Sequence, residues 1–255
     1  MGIVMVDQFA QKVILVTGGG SGIGEACVKE FAKRGGTVAV ADLDETSAMR
    51  VADEAQQNGI PSSAIKVDVS APESVERMVQ KVLEVHGRID ISVNNAGVFG
   101  VIAPLADYKI EDYKRTVAVN QDGVFYCMRY EIPAMLNNSG GVIINTASIA
   151  GHAGLSGLSA YSATKHAVLG LTRTAALEYA TQGIRIVSVS PGLVRTPMAE
   201  LVGQEFLHWA QSLEPIERMA EPDEIAAVVC FLASEEASFI TGSDHLIDGA
   251  FLSGR

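Results

Sequence analysis

The chain has 255 residues, with 30 acidic against 19 basic side chains and a formal net charge of −11, so phosphate backbones and anionic bilayers are repelled and neither nucleic acid nor membrane is expected as a partner. Mean hydropathy is high at +0.23, yet no apolar run approaches the roughly 18 residues that cross a bilayer. Cys27, Cys127 and Cys230 are odd in number and far apart, which suits reduced thiols in a cytoplasm, and the five histidines form no ligand-spaced pair, so no metal site is expected.

In chain order, short β-rich runs alternate with helical patterns. Residues 1–12 show no secretory signal. Val13–Thr17 reads as a first strand running into Gly18-Gly-Gly-Ser-Gly-Ile-Gly24 and a helix, the layout in which backbone N–H groups and a helix dipole hold a pyrophosphate. The spacing is T-G-x-x-x-G-x-G, from Thr17, Gly18, Gly22 and Gly24, since G-x-G-x-x-G fails in every frame. Val38–Ala41 is the second strand and ends at Asp42, whose carboxylate can accept both adenosine ribose hydroxyls and would repel a 2′-phosphate; Asp44 is the better placed helix cap. Ala64–Val67 is the third, followed by Asp68-Val69 and by Ser70-Ala-Pro-Glu73, which reads as a capping box with an early proline. Ile89–Val93 is the fourth and leads into Asn94-Asn95-Ala96-Gly97. Asn120 falls inside a helical stretch, where its propensity is poor. Val142–Thr146 is the fifth strand and Ser148 follows it; Ile184–Val189 is the sixth and Pro191-Gly192 follow; His245–Ile247 is the seventh. Glu221-Pro-Asp-Glu224 opens another helix. The alternation predicts an α/β fold, a single domain over 1–255 with a doubly wound Rossmann-type parallel sheet of about seven strands and helices on both faces.

Tyr161 and Lys165 stand one helical turn apart, thirteen residues after Ser148. A phenol with an ordinary pKa of about 10 is a poor acid or base at neutral pH, and an ammonium on the same helix face favours the phenolate. The competing reading is a half-exposed Tyr and a snorkelling Lys. Asp68 could equally cap a turn, Asn94-Asn95-Ala96-Gly97 could be a strand-end turn, and Thr196-Pro197 makes a ready helix cap and first position.

The ordered set, from Thr17 to Gly249, resembles the short-chain dehydrogenase/reductase family. The resemblance implies an NAD-dependent enzyme with Asn120, Ser148, Tyr161 and Lys165 as its catalytic residues. It implies that Gly18, Ser21, Gly22, Ile23 and Gly24 hold the cofactor, that Asp68 and Val69 contact the adenine, that Asn95, Ala96 and Gly97 line the cleft, and that Pro191, Gly192, Val194 and Thr196 lie at the nicotinamide end. In the family the lysine also holds the nicotinamide ribose, and the helical asparagine holds a water that links it to solvent. The apolar segment 193–215, with Met198, Leu201, Phe206 and Trp209, resembles the substrate lid; Ser148, Ala150, Tyr161, Met198 and Phe206 are the expected substrate contacts, with Val98, Phe99, Ile149 and His152 completing the pocket. The expected substrate is a compact, apolar secondary alcohol or ketone, cyclic or aromatic, and the expected assembly a homotetramer. A 3-oxoacyl-carrier-protein reductase using NADPH and a non-catalytic NAD-binding sensor are the alternatives. Ala250 replaces the second glycine of the family's Asp-Gly-Gly, which leaves the path of the C-terminal tail open.

Overall fold

The computed structural model describes residues 7–200, 203, 211 and 215–254. Seven strands, β1 (Val13–Thr17), β2 (Thr37–Asp42), β3 (Ser62–Lys66), β4 (Ile91–Asn94), β5 (Gly141–Thr146), β6 (Ile184–Pro191) and β7 (Asp244–Ile247), form one sheet in the order β3-β2-β1-β4-β5-β6-β7. Every pairing is parallel. The inner strands are buried on both faces, which is why they read as continuous apolar runs instead of alternating ones.

The helices are α1 (Gly22–Lys33), α2 (Glu45–Gln57), α3 (Pro72–His86), α4 (Ile110–Val117), α5 (Gly123–Leu136), α6 (Ser159–Tyr179), α7 (Pro197–Glu200) and α8 (Pro222–Ala233). One core packs Phe31 of α1, Val51 of α2 and Ile225 and Val229 of α8 against the sheet; a second, on the opposite face, gathers Met78 of α3, Met135 of α5 and Val168 of α6. Strand order reverses between β1 and β4, and a crevice opens there beyond the carboxyl ends of the strands.

Asp44 caps α2, accepting from the Thr46 amide at 3.1 Å, and Glu221 and Glu224 form a reciprocal box at the start of α8. The box expected at Ser70 is not there. Ala71 is the cap of α3, because the Asp68 carboxylate takes both the Ser70 amide at 3.0 Å and the Ser70 hydroxyl at 2.6 Å; Pro72 does hold the first helical position. Between α4 and α5 the chain widens into a π-helical turn, Ala118–Asp122, with Asn120 at its centre.

Candidate active site

The glycine turn closes β1 against β4. Gly18 has φ +64°, and a Cβ on it would meet the Asn95 amide nitrogen at 2.9 Å, so only glycine lets the two strand ends approach. Asn95 fastens the approach: its Nδ2 donates to the carbonyls of Thr17 (3.1 Å) and Gly18 (3.2 Å), while Thr17 Oγ1 accepts from the amides of Asn95 and Ala96. A cleft of about 460 Å³ lies over this junction, lined by Gly18, Ser21, Gly22, Ile23, Asp42, Asp68, Val69, Asn95, Ala96, Gly97 and Thr196. Gly24 does not line it. A side chain there would run into the Gly18 carbonyl, so its place is in the packing behind the turn.

Asp42 ends β2 and lines that cleft, its carboxylate accepting from the amides of Gly20 (Oδ2, 2.9 Å) and Asp44 (Oδ1, 3.0 Å). Asp68 closes a turn onto Ser70 and lines the cleft as well, and Thr196 accepts from the Ala199 amide at 3.3 Å while bordering both cavities; at these two positions turn-making and exposure to the cleft coexist.

The second cavity, about 200 Å³, joins the first at Ile23, Asn95, Gly97 and Thr196. Ser148, Tyr161 and Lys165 line it, with Pro191, Gly192, Val194 and Met198. Ser148 caps the 3₁₀ turn Ile149–Gly151, its Oγ accepting from the Ala150 amide at 3.2 Å, and it lines the cavity with the Tyr161 phenol. The Phe99 and Tyr161 rings lie 5.2 Å apart. Lys165, 4% exposed, donates to the Thr146 carbonyl at 2.7 Å, with its Nζ 5.6 Å from the centre of the Tyr161 ring. Burial lowers its pKa to about 8. Burial raises the Tyr161 pKa and the Ser148 hydroxyl opposes that rise, while the Lys165 ammonium donates to the Thr146 carbonyl.

Asn120 is fully buried and grips Val98 from both sides, Oδ1 accepting from its amide and Nδ2 donating to its carbonyl, each at 2.8 Å. A Cβ on Gly97 would lie 3.2 Å from Asn120 Oδ1 and 3.9 Å from Lys165 Nζ. The two side chains therefore flank a space that glycine leaves open.

One expected substrate contact, Ala150, and one expected pocket residue, His152, are not found at the cavity. Ala150 is fully buried, its amide engaged by Ser148, and does not line the wall. His152 turns away to Asp244 Oδ2 (2.8 Å) and Ser190 Oγ (3.3 Å), tying the serine loop to β7 and β6. Phe206, with Leu201 and Trp209, lies outside the described residues. Val98, Phe99, Ile149 and Met198 do line the cavity, and Leu155, Leu158 and Phe251, which sequence reasoning missed, complete the apolar wall. The two leucines fall in the irregular stretch between Ser148 and Tyr161, where no periodicity marks them.

The glycine-widened turn, its amides and the carboxylate at the end of β2 form a donor and acceptor set that fits a dinucleotide. A family model described as enoyl-(acyl carrier protein) reductase matches residues 18–251. Cyclohexanol dehydrogenase of Acinetobacter sp. (strain SE19) is 43% identical over 251 residues, covering 98% of each chain. Among solved structures, levodione reductase superposes with a TM-score of 0.94 at 33% identity, covering 97% of this chain and 100% of that one. NAD+-bound xylitol dehydrogenase superposes with a TM-score of 0.91 at 32% identity, covering 95% and 99%. The chain belongs to the short-chain dehydrogenase/reductase family, oxidoreductases that bind nicotinamide cofactors.

Proposed function

We propose that this protein is an NAD-dependent dehydrogenase interconverting a compact, apolar, cyclic or aromatic secondary alcohol and its ketone. The observation that carries the reading is the placing of the Ser148 hydroxyl and the Tyr161 phenol in one cavity whose wall is mainly apolar, with Val98, Phe99, Leu155, Leu158, Met198 and Phe251. Such a wall leaves polar partners mainly for the reacting oxygen.

The nicotinamide, when bound, accepts the hydride in oxidation and returns it in reduction. Ser148 holds the substrate oxygen and stabilises charge developing on it. Tyr161, as phenolate, takes the hydroxyl proton, and as phenol gives it back in the reverse direction. Lys165, whose pKa burial brings down to about 8, is the group best able to pass that proton on, toward the gap at Gly97 that Asn120 borders. Gly18, Gly22 and Ser21 hold the pyrophosphate end, Asp42 the adenosine ribose, Asp68 and Val69 the adenine, and Thr196 the carboxamide; the segment 193–215 serves as the lid. Asp42 supports NAD over NADP, as does the resemblance to an NAD+-bound neighbour. The relative named for cyclohexanol supports the cyclic substrate. Cys27, Cys127 and Cys230 are all buried and unpaired, which supports a reducing compartment such as the cytoplasm.

A carrier-protein ketoreductase is the second reading, favoured by the similarity to a 3-oxoacyl-[acyl-carrier-protein] reductase of Thermotoga maritima, 37% identical over 243 residues. One experiment separates the two: kcat/KM under saturating NAD for a series of cyclic alcohols against sugars, 2-hydroxy acids and 3-hydroxyacyl thioesters. Each methylene that enters the cavity contributes about 0.8 kcal/mol, so rates rise severalfold per ring carbon until the space is full. Preference for the sugars or the acids removes the apolar reading, and preference for the thioesters installs the second one.

A further inference from the structure

The C-terminal tail follows a strained path that ends inside the substrate cavity. β7 ends beside Pro191, and the Gly192 amide donates to the Ile247 carbonyl at 3.0 Å, so the tail starts where the cavity wall at Pro191 and Gly192 starts. The next four residues, Asp248 to Phe251, form a tight turn: the Phe251 amide donates to the Asp248 carbonyl at 2.9 Å, and the two central residues, Gly249 and Ala250, have φ +55° and +71°. Two successive left-handed residues closed by that bond make a type I′ turn, whose central positions favour Gly and Asn. Alanine there carries a Cβ in a conformation that L side chains avoid. Such strain persists only when its surroundings impose it. Asp248 does so with both carboxylate oxygens, Oδ1 accepting from the Ala250 amide at 3.1 Å and Oδ2 from the Leu252 amide at 3.0 Å. The result of the turn is the position of Phe251, which is only 5% exposed and lines the same cavity as Ser148 and Tyr161.

We propose that Phe251 is a specificity-determining residue whose ring closes the cavity and sets the largest substrate admitted, and that Asp248 is the positioning residue that holds it there through the Ala250 turn. This rests on the cavity beside Tyr161 being the substrate site. The strained turn fixes where the ring stands, and ring volume then fixes the space left beside the reacting oxygen.

The test compares cyclohexanol with 4-tert-butylcyclohexanol under saturating NAD in the wild type, Phe251→Leu, Phe251→Ala and Phe251→Trp. Pocket contacts of this size discriminate by about tenfold or more, so Phe251→Ala should move the ratio of the two kcat/KM values toward the bulky alcohol by at least about tenfold. Phe251→Leu should move it the same way by less, and Phe251→Trp the opposite way, with NADH affinity, read by fluorescence, within about twofold throughout. Asp248→Ala should raise KM for cyclohexanol severalfold with little change in kcat. If Phe251→Ala does not fold, the Leu and Trp variants carry the comparison in opposite directions. A size ratio that stays within about threefold of the wild type in every folded Phe251 variant overturns the proposal. If the wild type itself prefers sugars or 2-hydroxy acids to both cyclic alcohols, the substrate reading has failed instead, and small and large members of the preferred class then decide the role of Phe251 by the same ratio.

Discussion

At the end of β2, both Asp42 oxygens already accept backbone amides, from Gly20 and Asp44, so this carboxylate is held in place before any ligand arrives. A 2′-phosphate brought to about 4–5 Å from it costs several kcal/mol at an effective dielectric near 20, which predicts a preference for NAD over NADP of about two decades or more in kcat/KM. Asp42→Ala should relax that preference, and equal rates with both cofactors in the wild type would remove the ribose assignment. Tyr161→Phe should lower turnover by about 10²–10⁴ while NADH binding holds, since the ring still packs on Phe99; a variant retaining more than about a tenth of the rate would contradict the mechanism. Because burial raises the Tyr161 pKa, the phenolate forms at the alkaline end. Alcohol oxidation should therefore accelerate with rising pH and ketone reduction slow, measured as opposite slopes of kcat in the two directions. Lys165→Ala should harm both turnover and cofactor affinity.

Helix α5 carries a different titratable group into the interior. Glu131 is fully buried, with Oε2 accepting from Asn94 Nδ2 at 3.0 Å and Oε1 without a partner among the described residues, and burial pushes its pKa up to about 7. A folded-state pKa above the unfolded value means that the carboxyl's contribution is fully present below about pH 4.5 and is lost as pH rises through about 7. Glu131→Gln should thus flatten the decline in Tm between about pH 4.5 and 7, a window over which the wild type loses up to about 3 kcal/mol from this group; parallel Tm curves for the two proteins would refute it. The strands were legible from sequence because parallel strands buried on both faces concentrate Val, Ile and Ala, and only their ends moved: β4 starts at Ile91 and not Ile89, β3 at Ser62 and not Ala64. The glycine turn, Asp42, Ser148, Tyr161 and Lys165 were legible because each follows a strand or sits at a fixed helical spacing. What sequence hid depends on tertiary partners: Asp68 drawing Ser70 out of its cap, Lys165 turning to Thr146, Ala150 buried behind the wall, and Phe251 returning to the cavity from the far end of the chain.

On the scale of the whole molecule, large apolar side chains stand in solvent on the outer sides of the sheet and helices: Phe239 is 102% exposed, Leu177 on α6 86%, and Phe125 on α5 and Leu246 on β7 about half. Contacts between copies of the chain would cover such side chains. A homotetramer is the expected assembly, and light scattering at micromolar concentration that gives a single chain's 26.9 kDa would refute it. The order of the strands has a separate consequence. Because Ile14 pairs with Ile91, the β3-β2-β1 half can assemble on the ribosome while the rest of the sheet is still unmade, and the centre of the sheet is a seam sealed late. The larger cleft lies across that seam, with Gly18 and Asp42 on one bank and Asn95 and Gly97 on the other. A cofactor bound in that cleft would clasp two separately made pieces of the fold, so its addition should slow hydrogen exchange along the β1–β4 ladder more than at the edge strands β3 and β7.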